Sequence, residues 1–281
     1  MITRFKPEAK IETNQMIHPH TYIHPNAKLA TNVKVDPFTV VHHNVEIGEG
    51  TWIGSSVTIM EGARIGKNCR IFAGAVISAI PQDLKYSGEE TTAQIGDNTT
   101  IREFVTINRG SKDRWTTKVG SNCLIQAYSH VAHDCIIGDN CVLSNNTQIA
   151  GHVIIGDWVI VGGMGAIHQF VQIGHHAFIS GGSLVGKDVP PYIKAGRNPL
   201  SYAGVNSVGL KRRGFSIEKI NHILDIYRCI YNKDMNTSQT LEYIEEELPA
   251  SDERDEIVTF IRESGRGIIK RFSKGSSGDE D

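Results

Sequence analysis

Aliphatic side chains return at every sixth residue over most of the chain. The phase starts at Ile17 and passes through Ile23, Leu29, Val35, Val41, Ile47, Ile53, Ile59, Ile65, Ile71 and Ile77. It resumes at Ile95, Ile101 and Ile107. From Val119 it continues through Ile125, Val131, Ile137, Leu143, Ile149, Ile155, Val161, Ile167, Ile173 and Ile179 to Val185. Within that span only Asp83, Glu89 and Asp113 break it. A helix repeats near 3.6 residues and a strand near 2, so a period of six requires short strands joined by tight corners. Every sixth residue then points inward, and three units close a triangular coil of 18 residues. Successive coils should lie one strand spacing apart, about 4.8 Å. The predicted architecture is a parallel β-helix, a prism with an aliphatic interior.

Two minor positions sharpen the register. The residue after the aliphatic is often glycine (Gly48, Gly54, Gly66, Gly96, Gly120, Gly138, Gly156, Gly162, Gly174, Gly186), which is expected to form the corners because glycine accepts backbone angles other residues resist. Two residues before the aliphatic the chain favours small or β-branched types such as Ala27, Val45, Ala63, Ala75, Val153 and Ala177, expected to share the narrow interior. Cys69, Cys123, Cys135 and Cys141 occupy this same slot. Cys135 and Cys141 therefore repeat one inward position rather than forming a ligand pair, and no structural zinc site is expected.

Two polar excursions interrupt the prism, residues 78–94 with IPQDLKYSGEET and residues 108–118 with NRGSKDRWTTK. Loops on a rigid scaffold are where function concentrates. The hexad phase ends near Pro190-Pro191. Beyond it Ile220, Ile223, Leu224, Tyr227, Ile230 and Tyr231 form one apolar helical stripe, with Ser216 as its N-cap. Amphipathic segments follow at about Ser238–Leu248 and Asp252–Glu263. The expected organisation is an N-terminal extension (1–16), the β-helix (17–190), an α-helical C-terminal domain (191–272) and a disordered tail (273–281).

Composition narrows the function classes. The chain has 281 residues and a formal net charge of −2, so nothing argues for nucleic-acid binding. No apolar run reaches the roughly 18–20 residues that span a bilayer, and the first residues lack the apolar core of a secretory signal. The five cysteines include no C-x-x-C pair. A soluble cytoplasmic protein without stable membrane insertion is expected.

The hexad register also places surface chemistry. Val131, Ile149 and Ile167 are 18 apart and stack on one face; His133 follows the first by two, His152 the second by three and His168 the third by one. Three imidazoles should therefore approach one edge within about 10 Å axially, and His130 stands beside them. Three histidines suit a catalytic metal with an open position. Alternatively, one acts as general base, because imidazole ionises near neutral pH. The pair His133-Asp134 favours the base, and the unequal offsets argue against convergence on one ion.

The segments IPQDLKYSGE, IREFVTINRG, HVAHDC, NNTQIAGHV, GGMGAIHQF, DVPPY and GVNSVGLKRRGFS, in this order, resemble the UDP-N-acetylglucosamine O-acyltransferases, which catalyse the first step of lipid A synthesis. The resemblance covers roughly residues 17–270. It implies a left-handed coil, an unusual hand for parallel crossovers, and a homotrimer with active sites between subunits. The implied reaction moves a 3-hydroxyacyl chain from acyl carrier protein to the sugar 3-hydroxyl, without cofactor or metal. On the matching positions His133 resembles the general base, Asp134 its support, and Gly151 the backbone N–H donor to the oxyanion. Gln82, Asp83 and Lys85 match substrate-contacting loop positions. His130, His152, His168 and Gln169 match further substrate contacts, and Asn206, Arg212 and Arg213 match the nucleotide end. Without the resemblance, Lys211-Arg212-Arg213 would read as a solvated helix face. The family's usual glutamate in the GVN-x-E-GLKRRGF segment is Val208 here. Gly181 matches the acyl-chain ruler, where a glycine leaves room for a long chain.

Three rivals remain. A later N-acyltransferase of the same pathway carries a substantial extra domain before its hexads, whereas only about 16 residues precede them here. A trimeric zinc enzyme resembling the γ-class carbonic anhydrases would not explain QDLKY or GLKRRGF. An ice-binding β-helix would show exposed Thr-x-Thr ladders, which the hexads lack.

Overall fold

A computed structural model describes residues 16–232 and 235–272. The expected extension up to residue 15 and the expected tail at 273–281 lie outside the described residues. Short strands, mostly of two residues and nearly all ending on a phase aliphatic, wind into a left-handed parallel β-helix with three flat faces. The first face holds eleven strands, the second nine and the third eight. Along the second face Ile107, Val131, Ile149 and Ile167 stack in register. The interior is as the period requires: Ile53, Ile59, Ile71, Ile77, Ile101, Ile125, Ile137 and Ile149 are fully buried, as are Ala63, Ala75, Cys69, Cys135 and Cys141 in the small slot. Each of these thiols donates to a carbonyl of the next coil, as Cys135 does to Ala150 at 3.1 Å. Burial pushes the Cys135 thiol up to about 12, which leaves it unreactive.

The corners differ from the expectation. The glycines that follow the aliphatics keep ordinary backbone angles; the left-handed residue is the third one after most of the aliphatics, including Asn122, Tyr128, Asp134, Asn140, His152, Trp158, Phe170 and His176, with φ between 56° and 65°. Asn and Asp tolerate this region better than most residues, and the aromatic ones stack on their counterparts one coil away. The glycines serve a different need. A Cβ on Gly48 would lie 2.6 Å from the Gly66 carbonyl carbon, one on Gly96 2.6 Å from Gly120, and one on Gly138 2.8 Å from Gly156. The glycines that follow third-face aliphatics form a ladder at which successive coils touch backbone to backbone, between the third and first faces. Gly138→Ala is expected to destabilise by about 1–3 kcal/mol, because the neighbouring backbone cannot yield. Chemical denaturation of the variant measures this.

The pairing also explains the three breaks in the phase. Ile77 pairs with Ile107, 30 residues on (107 − 77), and Ile107 with Val131, 24 on (131 − 107). Against a coil of 18, the first turn carries twelve extra residues and the second six. These are two hexads and one hexad pushed out whole, and their phase positions are Asp83, Glu89 and Asp113. Both excursions leave at the edge between the second and third faces, the edge that carries His133.

After the prism, strands Ile193–Gly196 and Ser201–Val205 form an antiparallel hairpin that the sequence pattern did not reveal. Helices α1 (Ser207–Arg212), α2 (Ile217–Asn232), α3 (Thr237–Glu247) and α4 (Asp252–Glu263) follow. The Ser216 hydroxyl caps α2 by accepting from the Lys219 N–H at 3.2 Å. Tyr227, fully buried on α2, donates to the Pro191 carbonyl at 2.6 Å and ties the helices to the last coil. Buried Asp188 accepts from Gln172 N–H and from the Ser264 hydroxyl, fastening the segment after α4 to the same coil.

Candidate active site

His133 and Asp134 occupy adjacent corner positions, second and third after Val131. The left-handed backbone of Asp134 (φ 59°) turns its carboxylate under the 108–118 excursion, where it is completely buried. Oδ1 accepts the N–H groups of Ser111 (3.0 Å) and Arg114 (3.1 Å). Oδ2 accepts the Ser111 hydroxyl (2.6 Å) and His133 Nδ1–H (2.8 Å). Burial is the strongest single influence on this carboxyl and works against ionisation. The Ser111 hydroxyl, the His133 ring and the two backbone donors together overcome it and hold the group below the usual carboxylate range. An ionised Asp134 fixes the His133 proton on Nδ1 and leaves the Nε2 lone pair facing outward. Asp83 Oδ2 stands 4.0 Å from that nitrogen.

Gly151 lies one coil above His133. A Cβ there would sit 2.8 Å from both Cε1 and Nε2 of the ring, so only glycine leaves the imidazole its place. The Gly151 N–H beside the ring donates to no acceptor among the described residues. His152 meets His133 edge-on at 5.1 Å, stacks on Phe170 at 4.6 Å, and has Asp113 3.6 Å from its Nε2. Burial, chiefly, lowers the His152 pKa; Asp134 opposes and His133 reinforces the shift. His130 shares a 2.7 Å hydrogen bond with the Thr106 hydroxyl; burial, then the His133 charge, lowers its pKa.

The loop carrying Gln82, Asp83 and Lys85 is held at its base. Asn108 donates to the Ile80 carbonyl at 3.0 Å. Buried Arg109 donates to the Tyr86 hydroxyl at 2.9 Å while paired with Glu61 at 2.9 Å. Within the loop, Lys85 N–H donates to Asp83 Oδ1 at 3.0 Å; the side chains of Gln82 and Lys85 are exposed.

His168 and Gln169 are exposed on the same edge, with the His168 ring bonded to the Gln169 carbonyl. His168 lies on the expected edge, but the stacking partner of His152 is Phe170, because the third residue after the aliphatic faces its counterpart. The same geometry bears on a metal. His133, Asp134 and His152 bring donor atoms within 4.8 Å of one another. Both Asp134 oxygens are already committed to four donors, so the set fits an acid–base dyad better than an ion.

The other expected site residues lie away from this edge, most of them at α1 beyond the prism. Asn206 is buried, caps α1 by accepting from Gly209 N–H, and donates to the His176 carbonyl. Arg213 is half-buried over the edge between the third and first faces, bonded to His176 and 5.4 Å above the Trp158 ring. Arg212 and Val208 are exposed. Gly181 is exposed at the edge between the first and second faces. One chain thus sets the His133–Asp134 pair, Arg213 and Gly181 on three different edges. Ser111, Thr117 (whose hydroxyl accepts the Asp134 N–H at 2.8 Å), Phe170, Trp158 and His176 were not anticipated. The left-handed column, third after each aliphatic, is the signal that would have found the last three.

Residues 188–269 match the family model described as UDP-N-acetylglucosamine O-acyltransferase, domain 2, and residues 44–79 and 116–151 match the bacterial transferase hexapeptide model. The acyl-[acyl-carrier-protein]–UDP-N-acetylglucosamine O-acyltransferase of Myxococcus xanthus is 43% identical over 202 residues, 72% of this chain and 78% of that protein. The Chlorobaculum parvum enzyme of the same name is 49% identical over 211 residues, 73% and 79% of the two chains. The crystal structure of the UDP-N-acetylglucosamine acyltransferase of Bacteroides fragilis superposes with a TM-score of 0.90 at 50% identity, over 91% of this chain and 100% of that one. The chain is an acyltransferase and belongs to the UDP-N-acetylglucosamine O-acyltransferase family.

Proposed function

We propose that this acyltransferase moves a 3-hydroxyacyl chain from acyl carrier protein to the 3-hydroxyl of UDP-N-acetylglucosamine, with His133 as general base, as the first step of lipid A synthesis. The observation that carries the reading is the His133–Asp134 dyad beneath Gly151. His133 Nε2 takes the proton of the sugar hydroxyl as its oxygen attacks the thioester carbonyl. Asp134 supports the imidazolium, and the Gly151 N–H donates to the tetrahedral oxyanion. As the C–S bond breaks, the imidazolium returns the proton to the departing thiolate. Asp83, with Lys85 and Gln82 on the same loop, bounds the sugar opposite His133; His130, His152, His168 and Gln169 line the rest of that edge. No metal or other cofactor takes part in this scheme.

The separation of the site residues on three edges favours a homotrimer in which one copy supplies the dyad and its neighbour the nucleotide end, Asn206, Arg212 and Arg213. The outward residues of the last coils support this. Leu124, Val142, Ile160 and Phe178 on the first face and Ile136 and Ile154 on the third are apolar and half-buried, whereas the corresponding early positions include Lys34, Arg70, Lys28 and Glu46. Among the described residues no helix is long and apolar enough to cross a membrane, in keeping with the proposed cytoplasmic setting.

The deciding experiment incubates the chelator-treated protein with UDP-N-acetylglucosamine and a panel of 3-hydroxyacyl carrier proteins, and determines product mass and linkage. An O-linked product is expected; none across the panel would overturn the reading. Gly181 bears on chain length, its open corner fitting a long acyl group. Gly181→Met should shift preference toward shorter chains, changing the relative kcat/KM of long and short donors by about tenfold or more, as a few methylenes in an apolar groove allow.

A further inference from the structure

Arg213 is a half-buried cation with no carboxylate in ion-pair range among the described residues. Desolvation lowers its pKa, so its position is costly unless an anion arrives. Its Nη1–H donates to Nδ1 of His176 at 3.2 Å, which requires a neutral imidazole with its Nδ1 lone pair turned to the guanidinium. The surroundings enforce both conditions. His176 is stacked between Trp158 (6.3 Å, 5°) and Tyr192 (5.6 Å, 14°), with Phe215 edge-on at 5.1 Å. The Tyr192 hydroxyl is itself held by Glu256 of α4. Burial first, then the charge of Arg213, pushes His176 down to about 4, against a small opposing pull from Asp157.

We infer that His176 is a positioning residue that aims Arg213 at a diphosphate while leaving its charge uncompensated. The inference rests on the reading of Arg213 as part of the nucleotide end. A carboxylate in place of the imidazole would orient the guanidinium equally well, but it would also neutralise it and compete with the incoming anion. A neutral acceptor orients without competing. Val208, apolar and 64% exposed on α1, likewise places no negative charge there.

The test compares His176→Asn, His176→Asp, His176→Phe and Arg213→Gln in the full chain, reading UDP binding by calorimetry and steady-state kinetics with UDP-N-acetylglucosamine. Asn offers a neutral oxygen where Nδ1 stood and should bind UDP within about threefold of wild type. Asp should weaken UDP about tenfold or more and raise KM with little change in kcat, the mark of a lost binding charge. Equal affinities for the Asp and Asn variants, with Arg213→Gln impaired, would overturn the role of His176 and leave that of Arg213 standing. Unchanged UDP affinity in Arg213→Gln would overturn the underlying reading itself. If the Asp variant does not fold, His176→Phe decides: it keeps the stack and lacks the acceptor, so wild-type affinity there would refute the inference.

Discussion

His133→Ala should lower the rate of acyl transfer by roughly 10²–10⁴, the range for loss of a general base, with fold and UDP affinity retained. Among the described residues the ring makes no hydrogen bond to backbone; its polar contacts are with Asp134 and, at 4.0 Å, Asp83, and its packing is against Gly151 and His152. Its side chain is 13% exposed at an edge, outside the aliphatic interior, so truncation leaves the stacked Val131, Ile149 and Ile167 untouched. The readout is single-turnover transfer at saturating donor, beside thermal unfolding and UDP titration. Wild-type turnover would remove His133 from the mechanism.

Asp134→Asn should be about as damaging, for a different reason. Every group around the carboxylate donates: two backbone N–H groups on one oxygen, the Ser111 hydroxyl and the imidazole on the other. An asparagine must keep its carbonyl oxygen on the backbone pair, because those donors cannot reverse. Its amide N–H₂ then faces His133 and the Ser111 hydroxyl. The hydroxyl can rotate to accept, but the imidazole can accept only by moving its proton to Nε2. The base would then carry a proton where it must receive one. A loss of roughly 10²–10⁴ is expected, together with a change in the ring's nitrogen NMR shifts that reports the tautomer directly. An unchanged tautomer with full activity would refute the account. Acid should act on the same group. The folded-state pKa is lowered, so the stability the carboxylate contributes is complete above its ordinary value of 3.8 and is lost as pH falls through the lowered one.

The period of six was enough to specify the faces, the interior and the edge on which His133 lies, because inward packing repeats without regard to side-chain chemistry. It was not enough to place the corners. The glycines after the aliphatics read equally well as turn residues or as contact residues, and only the Gly120–Gly138 approach shows which need they meet. The site was legible where it was local, as in His133-Asp134. It was illegible where it joins distant segments: nothing in the sequence links Ser111 to Asp134 or Arg213 to His176, since each pair meets only after an excursion or a helix folds back. The register put His168 on the right edge, one residue after Ile167, but could not show that Phe170, two residues further on, is what stacks on His152.

The extruded hexads work as frame-preserving insertions. A single residue added inside a coil would rotate every later side chain out of register. The chain between Ala79 and Thr92, or between Asn108 and Thr116, can lengthen without that penalty, since doubling a flexible loop costs only about 0.6 kcal/mol. Both openings flank the proposed catalytic edge. Substrate range can therefore diverge at two fixed addresses while the rest of the molecule keeps its count.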